Sequence, residues 1–553
     1  KLEDKNYTLE ITGSAEKPSA KLETDDVKVG SKLSFEDNWM NLLISSPDTT
    51  KTEFIRLSAH VPSVSDKISG KAILPNGDTT VFTATKQSSA EKSDKNKKEE
   101  EESKHPEVLP VTFPNEAYGF EKMPEAKDIL FKNATVWTNE EQGIMENADV
   151  LVKKGKIAKI GKDLKAGSAS VVDATGKHLT SGIIDEHSHI ALSSINEGGH
   201  NSSAEVSMED VIDPSDIALY RDLAGGVTTA QLLHGSANPI GGRSAIVRLK
   251  WGASANDMIF EDSPKFIKFA LGENVKQSNW GSGNRFPVTR MGVEQVFTDY
   301  FGRAKEYMKN KEANPDSYRK DIEMETLAEI LRDERFISCH SYVQSEINML
   351  MSVADSMDFR INTFTHILEG YKLADKMAAR NIGGSTFSDW WAYKYEVEDA
   401  IPYNAAIMNS QGVTVAINSD DAEMSRRLNQ EAAKTMKYGG VSEEEAWKFV
   451  TLNPAKLLHI DDKVGSIKEG KDADLVLWSD HPLSVYAKPE KTMIEGVVYF
   501  DIARDKAMRE KLQKQKSELI TQMLHAKNKG MKTQPIVKKE KIEAHCDTME
   551  AIR

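Results

Sequence analysis

Gly182-Ile183-Ile184-Asp185-Glu186-His187-Ser188-His189 is a short apolar run that ends in two histidines one residue apart. On a strand, residues two apart project from the same face, so His187 and His189 can present two imidazoles to one metal ion. Either ring can equally be a hydrogen-bonded histidine at a strand end. The residues that close the later strands decide between these readings.

Working outward, apolar segments recur at 227–233, 245–250, 266–271, 336–339, 361–365, 382–387 and 413–418, in addition to 183–185. Helical periodicity appears between them at 291–311, 321–333 and 343–357, and again at 442–451, where Ser442 and Glu445 have capping-box spacing. Eight strands joined by crossovers predict an α/β fold, a (β/α)8 TIM-like barrel over 181–462. Alternating segments at 128–180 and again at 463–501 predict a small β-sandwich assembled from both sides of the barrel. An N-terminal β-rich domain is expected over 1–86, with turns such as Asn76-Gly77-Asp78. Residues 87–127 begin with Ser, Lys and Glu almost free of apolar side chains and read as a charged, solvated linker. A C-terminal helix and tail fill 502–553.

Composition narrows the function. The net charge of −14 opposes a nucleic-acid surface, and no apolar run reaches the roughly 20 residues that cross a bilayer. A small-molecule substrate is the expected partner, with homo-oligomer formation allowed. Two cysteines, Cys339 and Cys546, rule out a disulfide framework.

In a barrel of this kind the reactive groups stand at the carboxyl ends of the strands. Strand one ends in His187 and His189, strand four in Gly272-Glu273, strand five in His340, strand six in His366 and strand eight in Asp420-Asp421. Imidazole nitrogen and carboxylate oxygen suit a divalent transition metal, zinc above all. Each member also has a plainer reading: His340 or His366 as a satisfied core histidine, Glu273 as an N-cap, and one of Asp420 and Asp421 as a turn residue. The set taken together predicts a metal site.

The chain here resembles the amidohydrolase superfamily, particularly its imidazolonepropionase-like branch, over 128–501. The resemblance rests on that strand-end set and on Ala224-Gly225-Gly226-Val227-Thr228-Thr229, Gly235-Ser236-Ala237-Asn238-Pro239-Ile240-Gly241-Gly242 and Asn453-Pro454-Ala455. The closing Gly465-Ser466-Ile467-Lys468-Glu469-Gly470-Lys471-Asp472-Ala473-Asp474-Leu475-Val476 belongs to it too. It implies that His187, His189 and Asp420 bind a first metal and that His340 and His366 complete that site or hold a second ion. In many relatives a carboxylated lysine bridges two metals at strand four. Glu273 is expected as a ligand instead, with Lys268 too deep in the barrel to be carboxylated.

The implied chemistry is hydrolysis of a non-peptide or dipeptide-like C–N bond in a small, carboxylate-bearing substrate. A divalent cation lowers the pKa of its water from about 15.7 to about 7. Asp420 is expected to take the water's proton and return it to the leaving nitrogen, while His366 or His234 hydrogen-bonds the developing oxyanion. The glycine-rich loop suggests a substrate cradle of His234, Asn238, Gly241, Gly242 and Arg243, although the same glycines can simply shape a turn, with Arg243 paired to a neighbouring acid. Trp390 and Trp391 read as pocket wall or core. A heterocycle deaminase of the same superfamily and a non-catalytic metal-containing binding protein are the competing readings. Relatives with an added β-domain also imply an exported, periplasmic or cell-surface protein.

Overall fold

The computed structural model of the chain describes residues 6–14, 17–24, 27–36, 39–45, 54–61, 67–86, 110–276, 285–532 and 534. It divides into two compact units, one of residues 1–109 and 506–540, the other of 110–505 and 541–553. The expected linker lies outside the described residues over 87–109, as do the tail from 535 and Cys546.

In the first unit, antiparallel strands form a three-stranded sheet (Thr8–Ser14, Lys17–Thr24, Val27–Val29) and a five-stranded one from Ser31–Glu36 to Thr79–Thr85. Alternation decides which side chains turn inward. In Trp39–Ser45, Met40, Leu42 and Ile44 are buried and join Leu22, Leu33, Leu57 and Phe82 in one apolar cluster. Helix Ile502–Asn528 supplies this unit from residue 506 onward, where Gln513 Nε2 donates to Gly77 O at 2.8 Å.

The second unit holds the barrel. Its strands are β1 (Ile183–Ser188), β2 (Val227–Leu232), β3 (Ile240–Arg248), β4 (Lys265–Ala270), β5 (Arg335–His340), β6 (Thr363–Thr365), β7 (Gly383–Thr386) and β8 (Val415–Ile417), in that order around the sheet. Every residue of β1 and β2 is buried, as strands covered on both faces must be. The backbone N–H of Asp420 donates to His187 O at 3.1 Å and brings the end of β8 back to β1. Helices such as Gln344–Met357 cover the outside, burying Ile347, Leu350, Met351 and Ala354 along one stripe.

One feature departs from the eight-crossover expectation. β3 runs antiparallel to both β2 and β4, so no helix intervenes between β2 and β3, and residues 233–239 turn the chain back at the rim where β2 ends. The strand also starts at Ile240, five residues before the apolar segment read from the sequence. Ile240-Gly241-Gly242 carries too little side chain to register as a strand, yet pairs as one.

Segments on both sides of the barrel meet in one eight-stranded sheet, where His178–Ser181 pairs antiparallel with Leu475–Trp478. Gly182 N then donates to Asp474 O at 2.9 Å as the chain enters β1. The closing motif ties this sheet to the barrel electrostatically: buried Arg248 of β3 reaches Asp472 (2.5 Å), Asp474 (3.3 Å) and Glu495 (3.2 Å). A guanidinium withdrawn from water needs such partners, and their geometry fixes how β3 meets the sheet.

Candidate metal centre

His187 and His189 leave the end of β1 on the same side, and Asp420 follows β8 beside them. The two Nε2 atoms are 3.2 Å apart, and Asp420 Oδ1 lies 3.4 Å from His187 Nε2 and 3.1 Å from His189 Nε2. Among the described residues, this buried trio is the group of His, Cys, Asp and Glu whose ligand atoms all fall within 4.8 Å of one another. His366 packs beside it, its ring centroid 4.8 Å from that of His187 and 4.3 Å from that of His340.

The rings are aimed from behind. His189 Nδ1 donates to Leu233 O at 2.8 Å. Thr365 Oγ1 stands 2.8 Å from His187 Nδ1 and donates to Glu186 Oε2 at 3.0 Å, so it accepts the His187 proton. Ser236 Oγ lies 2.8 Å from His340 Nδ1. Holding the proton of His187 and His189 at Nδ1 leaves both of their Nε2 lone pairs directed inward, the arrangement that second-sphere partners impose on metal-binding imidazoles. His340 Nε2 is buried without a hydrogen-bond partner among the described residues, a costly state for a polar atom unless a ligand completes it.

Electrostatics agree. Burial, then neighbouring positive groups including Lys268, hold His187 well below the ordinary imidazole range, and His340 is displaced the same way by burial and His366. Burial alone raises the Asp420 carboxyl, but its contact with His189 and the positive charge gathered around it, Lys268 included, outweigh burial and hold it below the ordinary carboxylate range. Neutral imidazoles beside a carboxylate are the donor chemistry that a divalent cation needs. His366 and Asp420 also adopt left-handed backbone, φ +37° and +48°, a conformation that costs a non-glycine residue about 1 kcal/mol or more and gathers at functional sites.

Two strand-four expectations change. Lys268 is not too deep: its fully buried Nζ lies 3.2 Å from His187 Nε2. Its four-carbon stem carries the amine to the rim although its Cα sits two residues before the strand end. Glu273 is not one of the trio; its backbone N–H donates to Glu396 Oε1 at 2.8 Å and its charge acts on Arg290.

The cradle residues are likewise redistributed. His234 spends both nitrogens on backbone, Nδ1 donating to Gly235 O and Nε2 accepting from Glu197 N, each at 2.8 Å, so neither faces a reacting group. Asn238 Nδ2 donates to Glu197 O and His200 O, both 3.2 Å away, and to Ser203 Oγ. Gly241 and Gly242 make room for the His234 ring: a Cβ on the first would lie 2.9 Å from His234 Nδ1, on the second 3.0 Å from His234 Cδ2. Arg243 donates to Val206 O and Glu205 O, away from the imidazoles. His234, Asn238, Gly241 and Gly242 build the rim rather than line the trio, and Arg243 lies farther along β3. Asp421 Oδ1 accepts from Glu423 N and Met424 N, the turn role weighed for it.

Sequence reading missed Tyr342, Thr365, Ser236 and Lys394. Tyr342 packs on His340 and His366, with ring centroids 4.6 and 5.0 Å away, and Lys394 Nζ lies 4.6 Å over the Tyr342 ring. Phe387 stacks on His366, and Trp390 stacks on Phe387, which makes Trp390 part of this wall. Trp391 meets Tyr438 instead. The one available signal was Lys268, a charged residue inside the apolar run Phe266-Ile267-Lys268-Phe269-Ala270.

Comparison with known proteins adds an independent line. The profile of the Amidohydrolase family matches residues 395–501. The amidohydrolase tasK of Hapsidospora irregularis is 30% identical over 428 residues, a match covering 68% of this chain but only 43% of tasK. An imidazolonepropionase of Thermoplasma volcanium is 25% identical over 375 residues, covering 61% of this chain and 85% of that protein. The crystal structure of an amidohydrolase from Thermotoga maritima MSB8 superimposes with a TM-score of 0.64 at 34% identity, covering 68% of this chain and all of that one.

Proposed function

The chain belongs to the amidohydrolase superfamily, and from that premise we propose that it is a metal-dependent hydrolase of an amide-like C–N bond in a small, carboxylate-bearing molecule. The carrying observation is the convergence of His187 Nε2, His189 Nε2 and Asp420 Oδ1 at the ends of β1 and β8. These three would hold a first zinc or similar divalent ion. His340, His366 and Lys268 would complete that site or bind a second ion, Lys268 as the carbamate formed when its amine adds carbon dioxide and releases a proton.

When bound, the ion acidifies a water molecule and polarises the scissile carbonyl. Asp420, kept ionised by its imidazole neighbours, takes the water's proton and returns it to the leaving nitrogen. Where it is not a metal ligand, His366 donates to the oxygen on which charge develops. The strained backbone at His366 and Asp420 is consistent with preorganisation of both groups. Tyr342, Phe387 and Trp390 exclude water on one side, and Lys394, over the Tyr342 ring and 3.4 Å from Glu396 Oε2, is a cation on that wall for the substrate carboxylate.

The test is a screen of N-acyl amino acids, dipeptides and cyclic ureides with the metal-loaded protein, following new carboxylate and ammonia separately. New carboxylate from a substrate that already bears one supports the reading. Ammonia release from a heterocycle without a new carboxylate transfers the assignment to deamination, and no turnover of any class rejects the hydrolase mechanism.

A further inference from the structure

Arg243 takes no part in the chemistry above, and its surroundings suggest another task. Arg243 and Ser244 of β3, Lys265 at the start of β4, Arg335 at the start of β5 and Lys320 beside helix Ile322–Leu331 line a cavity of about 420 Å³. β4 and β5 begin here and finish at the imidazoles, so the cavity opens at the opposite end of these strands from the metal centre.

Its charges do not cancel. Glu329 is shared between Lys265 Nζ at 2.7 Å and Arg335, whose Nε and Nη2 lie 2.8 and 2.7 Å away. Glu325, on the same wall, is held by Lys311 (2.7 Å), Tyr307 (2.9 Å) and Arg332 (3.2 Å). Facing Arg243 and Lys320 there remains the single carboxylate of Glu209. The Arg243 contacts given above, 3.3 Å to Val206 O and 2.8 Å to Glu205 O, are to carbonyls, which fix the plane of the guanidinium without neutralising it. Arg335 is 7% exposed, and burial followed by the charge of Arg243 displaces it downward against the pull of Glu329. Two guanidiniums therefore share a confined space.

We propose that this cavity binds a small oxyanion, a phosphate or carboxylate group, gripped by Arg243 and Lys320. Arginine offers paired N–H donors to such a group, and the excess positive charge of the lining is met. The site is separate from the metal centre and independent of the reaction assigned there.

Titration calorimetry of the full metal-loaded chain with inorganic phosphate, and in parallel with succinate, tests this. Saturable binding of at least one anion is expected, weakened about tenfold or more in Arg243→Leu and several-fold in Lys320→Ala, where an exposed side chain changes without risk to folding. Binding retained in His189→Ala separates the site from capture of the anion at the metal centre. The phosphate and succinate arms decide which oxyanion is preferred. No saturable binding of either anion, affinity unchanged in both cavity variants, or binding lost with His189→Ala overturns the proposal.

Discussion

Lys268 Nζ lies 3.2 Å from His187 Nε2, in a residue with no exposed surface and inside a ring of imidazoles. An ammonium in that place would oppose a cation, whereas a carbamate would attract one. Lys268→Met is therefore expected to lower turnover at least about 100-fold, the upper end of what loss of a metal-site partner costs. Lys268→Arg, which keeps a charge but cannot form the carbamate, should fare no better. Bicarbonate should restore wild-type protein depleted of carbon dioxide and neither variant. Wild-type turnover in Lys268→Arg removes the carbamate from the account.

Asp420 is assigned the proton transfers, so Asp420→Asn should retain the circular-dichroism spectrum and lose turnover by about 10²–10⁴-fold. A change confined to KM, with kcat intact, would assign Asp420 to binding rather than proton transfer.

Thr365 and Ser236 never touch the inward-facing nitrogens, yet each holds a ring through its Nδ1. Thr365→Val keeps the shape and removes the acceptor of His187 Nδ1. Metal affinity measured against a chromophoric chelator should fall about 10–100-fold, with a comparable loss for Ser236→Ala through His340. Unaltered affinity in both would mean that packing alone orients the imidazoles.

Asp474 carries a pH signature remote from the metal. Burial pushes its carboxyl from the ordinary 3.8 up to about 6, against the favourable charge of Arg248. The folded state thus keeps a proton that the unfolded chain has released, and this group's contribution to stability falls as pH rises from about 4 to about 6. Asp474→Asn still accepts from Glu495 N but no longer titrates. Denaturant titrations should show its stability relative to wild type improving by up to about 3 kcal/mol across that window, whatever the offset between the two proteins at a single pH. A constant difference from pH 4 to pH 7 contradicts the placement of this carboxyl.

Much of the site was legible because strand alternation and the barrel rule convert sequence position directly into place: His187 and His189 share a face, and Asp420 returns to them at the end of β8. The antiparallel β3 was not legible. Gly241 and Gly242 give no apolar signal, and their reason for being there, room for the His234 ring, is a contact between distant parts of the turn. Lys268 was misjudged because depth was read from its Cα, while a long flexible stem decides where the amine goes. His234 and Arg243 were drawn into the cradle by residue type, but backbone carbonyls and amides absorb their polar atoms.

The most direct measurement is the metal content of the purified chain by elemental analysis, for wild type and for His187→Ala/His189→Ala with its fold checked by circular dichroism. Wild type should hold one or two equivalents of zinc or a similar divalent ion, and the folded double variant should hold little. Wild type that stays metal-free after exposure to zinc, manganese, cobalt and nickel, or a double variant that retains the full complement, contradicts a centre built on β1 and β8.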